Sequence, residues 1–530
     1  MRFLYRLSLI STTMLLIAST VAYSDTTIVV NVDRGEDLGQ NFGSLFEVRT
    51  EDGAFVVGAG FSGAYNTYYR HDRHTVHFYV RPTEGARKLK AMALPRPGEL
   101  AGTYLFNYDG QVYATVDFDG KASVTNSKVR VWDDDDKAWN PSSTRNRVDT
   151  RVGNSRLSFD SGAVTLDGDT ILPAAEEGNY KGFYYGQGYL VFYHIYRPGE
   201  AKYRSYAKDE QGYSKLYACP WTPGTGAVDL GKATVKTVPI VGEFPYAYGQ
   251  LGDQVISCSN IGGVYALQDG QWRTLVNGSM KTSYQVYTGF TYYDQLLLGQ
   301  YPTGELFAFD GETVERIKGW PPVMKGVSGS AREAQTMVLY GGELYVGVWP
   351  WGEVWRYHRE QGDWNLARRM FSHPALTDAT THPYELECKA LGGVANQWGQ
   401  RVTSMVPLKN SLLISTSAKS PCRWEPKFDF VGSNAWKEYG SVTRLHASGH
   451  LSVPVKWTKG STELRFTLTD RVMRVEQDGN LIGSSVMLSG SVTSAPESAS
   501  SLGEVDWGHG AYGIFTGVNV KGSTVLPRSL

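Results

Sequence analysis

A diverged internal repeat constrains this chain more than any other feature. The segment from Thr288 to Glu305 lies over the segment from Thr336 to Glu353 at a constant offset of 48, and Thr288, Tyr292, Leu296, Gly299, Pro302, Gly304 and Glu305 all meet their own kind. Gln250 to Tyr265 joins at an offset of 41, and Ser404 to Ser415 at an offset of 68 from the Thr336 copy. Fainter copies lie around Phe55–Gly58, Tyr108–Tyr113 and Tyr184–Glu200, which places units near residues 42, 102, 182, 245, 284, 332 and 400. Each unit reads as an apolar strand, a tight turn, a second apolar strand, then two further strands joined by turns such as Asp269-Gly270 or Asp310-Gly311. Four strands per unit, recurring every few tens of residues, predict an all-β chain folded as a β-propeller, with seven blades.

Composition agrees with strands and turns. Of 530 residues, 59 are Gly, 33 Tyr and 14 Trp, a mix that disfavours helix bundles. Lys plus Arg number 52 against 53 Asp plus Glu, so the chain lacks the basic surplus that a nucleic-acid binder uses to neutralise phosphates. Arg2 and Arg6, a mostly apolar run from Leu7 to Ala22 and the small residues of Ala22-Tyr23-Ser24 read as a secretory signal over residues 1–24. No later stretch is long and apolar enough to span a bilayer. A secreted, monomeric chain is therefore expected, with a propeller over 25–450. The tail 451–530 would form a small β-module or supply ring-closing strands.

In an oxidising compartment, Cys219, Cys258, Cys388 and Cys422 are compatible with two disulfides; proximity along the chain favours 219–258 and 388–422. No certain cofactor is indicated. The run Asp133–Asp136 offers carboxylates to a structural calcium ion, and His71, His74 and His77 offer imidazoles to zinc, although both stretches also read as ordinary polar loop and strand. No serine elbow, Walker loop or dinucleotide fingerprint occurs.

In a propeller, the loops leading into the innermost strands and the turns after the second strands share one face around the axis, where ligands bind. Those loops carry Arg332 and Glu333, Gln400 and Arg401, with Lys325, Tyr246 and Tyr184 in the same class of position. The turns carry Tyr196, Tyr301 and Trp349 at one shared place, with Arg197 after the first and Trp351 two residues beyond the last; His194 ends a second strand. Aromatic faces stack on sugar C–H surfaces and fixed cations read carboxylates, so the pattern points to an acidic glycan. The same aromatics also suit packing between blades, and Arg332 with Glu333 also suits a structural ion pair.

The signal segment, the predicted ring and its His/Tyr/Arg face resemble the secreted propeller-type polysaccharide lyases, the ulvan lyases of marine bacteria among them; the resemblance is architectural, covering residues 40–450 loosely. It implies β-elimination on a uronic-acid polysaccharide, but no short stretch matches a signature of those families, so the roles come from the residue types alone: Arg332 or Arg401 would neutralise the carboxylate, with His194, Tyr184, Tyr246 or Tyr301 as base and acid. Tyr196, Arg197, Lys325, Glu333, Trp349, Trp351 and Gln400 would bind the substrate. The alternatives are a non-catalytic glycan- or protein-binding propeller and a glycoside hydrolase. The last requires two carboxylates, and Glu333 is the candidate for one of them.

Overall fold

The structure is a computed structural model. It describes residues 26–525 apart from 34–43, 51–52, 62–63, 85–86, 118–127, 143–146, 161, 199–211, 282–283, 325–330, 380, 393–397, 420–422, 459, 470–471, 487–501, 508–513 and 521–522. The expected signal segment therefore lies outside the described residues.

Among the described residues, seven antiparallel sheets are consecutive or nearly consecutive meanders. Their innermost strands are Thr103–Tyr108, Thr150–Val152, Asn179–Gly186, Pro245–Leu251, Gln285–Tyr292, Glu333–Tyr340 and Gln400–Leu408. Apolar residues from neighbouring sheets merge into shared cores, so that Val264 and Phe309, Leu306 and Val346, or Leu105 and Val406 belong to common clusters. Inner strands are buried on both faces, which is why they read as near-continuous apolar runs, whereas outer strands such as Val314–Ile317 are largely polar and half-exposed. This is a β-propeller.

The repeat offsets have a structural meaning. Four inner strands each carry one extra residue against the neighbouring strand: Tyr246, Tyr287, Gln335 and Thr403. These bulges are separated by the same 41, 48 and 68 residues that relate the repeat copies. A bulge turns its carbonyl out of the ladder. Here it points toward the axis, where residues 64–75 fill the centre of the ring. Ala64–Asn66 pairs with the inner edge of Gln285–Tyr292. Thr67 Oγ1 donates to the Tyr246 and Tyr287 carbonyls at 3.1 Å each, and Asn66 Nδ2 donates to the Gln335 carbonyl. Arg73 Nη1 reaches the Tyr185 carbonyl at 2.7 Å. The axial plug is thus held by the bulge carbonyls of three blades and by a fourth inner strand.

The Pro-x-Gly-Glu element of the repeat is a latch between blades. The Pro302 carbonyl accepts the Arg332 N–H at 2.7 Å, and the Pro350 carbonyl accepts the Gln400 N–H at 2.5 Å. Gly304 has φ +66°, and a Cβ there would come within 2.5 Å of the Arg332 Cβ, so the turn requires glycine.

Two expectations are corrected. The unit near residue 42 is not a blade: Ser44–Thr50, Phe55–Phe61 and Thr75–Pro82 form a five-stranded sheet with His450–Pro454 and Leu502–Trp507. That sheet packs on a second one, in which Thr26–Asp33 lies between Ser461–Leu468 and Ile514–Val520, and the two share a core including Val30, Phe46, Phe78 and Phe466. Both chain ends therefore build one β-sandwich, and the propeller does not begin at residue 25. The sheet over 150–172 takes a place in the ring that the repeat did not reveal. The ring is closed by Lys90–Leu94, which pairs with Val442–His446 as the outer strand of the last blade, rather than by the C-terminal tail.

Cys219 and Cys258 are separate buried thiols, and the described residues contain no disulfide. Cys219 faces the core shared with the 150–172 sheet, while Cys258 faces the next interblade core, so the 219–258 pairing is not formed. Cys422 lies outside the described residues.

The Asp133–Asp136 run folds as a turn. Asp133 Oδ1 accepts the N–H groups of Asp135 and Asp136, and Asp134 takes hydrogen bonds from Trp132, Arg444 and Lys409, the last at 3.2 Å. These donors hold the Asp134 carboxyl well below the usual carboxylate range against the opposing effect of burial. No cluster of metal-ligating side chains occurs among the described residues. Asp134→Asn is expected to cost about 1–2 kcal/mol by loosening the first blade from the last, read as a drop in the urea midpoint.

Candidate functional site

The face opposite the sandwich carries the starts of the inner strands, and the tip of the plug places Tyr68 at its centre. The Tyr68 ring lies 5.1 Å from Tyr104 and 6.4 Å from Tyr287, and Tyr287 lies 5.2 Å from Tyr246. Burial raises the Tyr287 and Tyr104 hydroxyls, the latter to about 12, so both remain protonated near neutrality. Tyr68 and Tyr246 are half-buried and form the open part of this aromatic floor.

Charge sits beside it. Glu333 starts its strand immediately after the latch, and Arg401 occupies the equivalent place one blade on. Arg401 Nη2 donates to both Glu333 oxygens at 2.9 Å, and Nη1 donates to the Tyr68 hydroxyl at 3.4 Å. Burial alone would lower the Arg401 pKa, but Glu333 and the surrounding phenols more than offset it and leave it well above the usual value. Lys419, just past the second strand Ser411–Ala418, brings Nζ to 3.4 Å from Glu333. The same Nζ lies 4.1 Å from the Trp349 ring centre and 4.8 Å from that of Tyr301. Burial lowers its pKa to about 8, with Glu333 opposing and Arg401 reinforcing the shift. Arg147 lies 5.7 Å from the Tyr68 ring centre and 5.1 Å from that of Tyr104.

The structure brings together Arg401, Glu333, Tyr301 and Trp349, with Tyr246 across the aromatic floor. Other expected residues stand apart. Arg332 is wholly buried behind the latch, where Nη2 donates to the Pro322 carbonyl at 2.9 Å, Nη1 to the Thr303 carbonyl at 3.2 Å, and Glu353 lies 3.6 Å away. It holds two blades together. Tyr184 lies beneath the plug, 5.8 Å from Tyr65 and 5.4 Å from Tyr248, with burial raising its hydroxyl to about 12. His194 accompanies Tyr180 and Tyr213 on the third blade and meets the Glu177 carbonyl at 2.7 Å. Tyr196 packs on Tyr213 at 5.5 Å, and Arg197 donates to the Val241 carbonyl at 3.2 Å. Trp351 is buried under His382 and Tyr384, and the buried Gln400 bridges to it through the backbone. Lys325 lies outside the described residues. Of the histidine run, His71 and His77 are buried between plug and sandwich, and His77 Nδ1 meets Ser452 Oγ at 2.8 Å.

Sequence reasoning missed Lys419, Tyr68, Tyr104, Tyr287 and Arg147. A signal for Lys419 existed: the 68-residue offset that aligns Met337 with Met405 also sets Trp351 opposite Lys419, a position read only for aromatics. Tyr68 lies outside the repeat and had none.

No protein-family model matches the sequence. No curated protein is significantly similar to it. Solved structures similar in fold include YCF48 bound to D1 peptide, at a TM-score of 0.35 and 10% identity, covering 68% of this chain and 97% of that one. Another is the Cps50 (Swd1) β-propeller domain of Myceliophteria thermophila, at 0.33 and 10%, covering 68% of this chain and 100% of that one.

Proposed function

We propose that this chain is a secreted, seven-bladed propeller whose open face takes an acidic polysaccharide and cleaves it at uronate residues by β-elimination. The reading is carried by one observation: a phenol, Tyr68, and two cations, Arg401 and Lys419, converge around Glu333 on an aromatic floor at the hub. Elimination requires charge neutralisation at the carboxylate, a base for the C5 proton and an acid for the leaving oxygen. Neutralisation is assigned to Arg147, a cation over the Tyr68 and Tyr104 rings at the floor. Both Glu333 oxygens are occupied by Arg401 and Lys419, which disfavours a hydrolase built on that carboxylate.

A non-catalytic, glycan-binding propeller is the second reading. It is favoured by the two-point contact of Arg401 on Glu333, which ties up the cation first expected to neutralise substrate, and by the contacts of His194, which are with Glu177, Tyr180 and Tyr213 of the third blade. Affinity electrophoresis on ulvan, alginate, pectin and glucuronan, run beside an ultraviolet assay for unsaturated uronate products, separates the two. The lyase reading expects both retardation and rising absorbance. Retardation without absorbance leaves the binder, and absence of both removes the open face as a glycan site.

A further inference from the structure

We infer that Lys419 is the proton-accepting base of the open face, acting on the C5–H of a uronate ring seated beside Tyr301 and Tyr68. The inference rests on the lyase reading above and gives its proton transfer to a residue on which that reading did not depend.

Three observations carry it. Two cations share a single carboxylate, and Arg401 holds it at two points while Lys419 makes one longer contact. A guanidinium does not deprotonate in this range, so of the two cations only the lysine can lose a proton and act as a base. Next, the Lys419 side chain is 19% exposed, whereas those of Arg401 and Glu333 are at most 2% exposed, so of these three residues the lysine is the one with side-chain surface open to a ligand. Finally, burial and the neighbouring Arg401 disfavour the charged amine more than the Glu333 carboxylate 3.4 Å away favours it. With its pKa brought to about 8, a useful share of the amine is neutral at mildly alkaline pH.

The step balances without a co-reactant. The neutral Nζ lone pair takes the proton from C5, the C5–H electrons form the C4=C5 double bond, and the C4–O bond breaks. The leaving oxygen takes a proton from the Tyr68 hydroxyl. Arg401 donates into that hydroxyl, so its own proton points elsewhere and is available to the departing oxygen. Protons return from solvent to Tyr68 and are lost from Lys419 between turnovers.

The test is Lys419→Arg, which keeps the positive charge and removes the titrating amine. Binding to the cleaved polymer is expected to stay within about threefold while kcat falls at least about 100-fold. In the wild type, kcat should rise through a group titrating near 8, and that limb should vanish in the variant. Reductive methylation with 13C-formaldehyde, followed by NMR titration, reads the Lys419 amine without turnover. Wild-type-like kcat in Lys419→Arg, or an amine titrating as an ordinary exposed lysine, overturns the assignment. Polymer binding with no unsaturated product from the wild type overturns it too and leaves the glycan site standing. Absence of polymer binding removes the proposed function itself, and the base with it.

Discussion

Acidifying the protein from pH 7 to pH 5 is expected to remove about 2 kcal/mol of stability for each of His71 and His77, with a further loss of the same sign from His450. His71, His77 and His450 are all held below the usual histidine value by burial, His71 at about 4 and His77 at about 3. The unfolded chain takes up protons below about 6.5 while the folded chain does not. Stability is therefore complete above that value and is lost as pH falls toward the folded pKa values. The hydrogen bonds show why the neutral form is fixed. Gly341 N–H donates to His450 Nδ1 at 3.0 Å, so the ring proton sits on Nε2 and is given to Ser452 Oγ at 2.6 Å; the serine hydroxyl in turn faces His77 Nδ1 at 2.8 Å. A second proton on His450 would confront the Gly341 N–H. Urea midpoints at pH 7, 6 and 5 check this, and His77→Gln should flatten the slope. A midpoint that does not move over that range would show that these imidazoles are hydrated in solution. A typical domain holds about 5–15 kcal/mol, so the expected loss is large enough to unfold the junction of plug and sandwich first.

The fold was legible where the physics was local and repeated. The offsets 41, 48 and 68 mark four bulges, three of whose carbonyls grip the plug, and the Pro-Thr-Gly-Glu305 and Pro-Trp-Gly-Glu353 turns are latches to the next blade. The 150–172 sheet escaped notice because its strands run only three to six residues, and Thr150–Val152 is too short to read as an inner strand. Phe55–Phe61 misled for the opposite reason: a run of seven wholly buried residues reads the same as a blade's inner strand and as a central strand of a sandwich, and what separates them is the partner strand. That partner is not a local property. Leu94 pairs with Val442, and Thr26 with Leu468, across most of the chain. The site divides along the same line. Glu333, Arg401, Tyr301 and Trp349 stand at repeat positions and could be mapped, whereas Tyr68 reaches the hub only because a connection between two sandwich strands threads the ring.

Arg332→Ala is expected to destabilise the protein by about 3–5 kcal/mol and to leave the polysaccharide binding proposed for the open face unchanged. On sequence alone Arg332 and Arg401 looked equivalent, since both sit in loops leading into inner strands. Their surroundings differ. Arg401 faces the hub, while Arg332 and Glu353 are both fully buried behind the latch, 3.6 Å apart, with the Pro322 and Thr303 carbonyls taking the remaining guanidinium bonds. Removing the arginine leaves the buried carboxylate with only the Trp355 Nε1–H at 2.6 Å and the more distant charge of Arg369 to support it. Burial already pushes the Glu353 carboxyl up, with Arg332 opposing, so in the variant it would rise further and accept a proton more readily. The deficit relative to wild type should accordingly shrink as pH falls, and Glu353→Gln added to Arg332→Ala should recover part of the loss at neutral pH. Urea unfolding of the two single variants and the double variant measures both effects. A stability change below about 1 kcal/mol together with lost turnover would return Arg332 to the catalytic role first expected of it, and would mean that the latch opens in solution to expose its guanidinium.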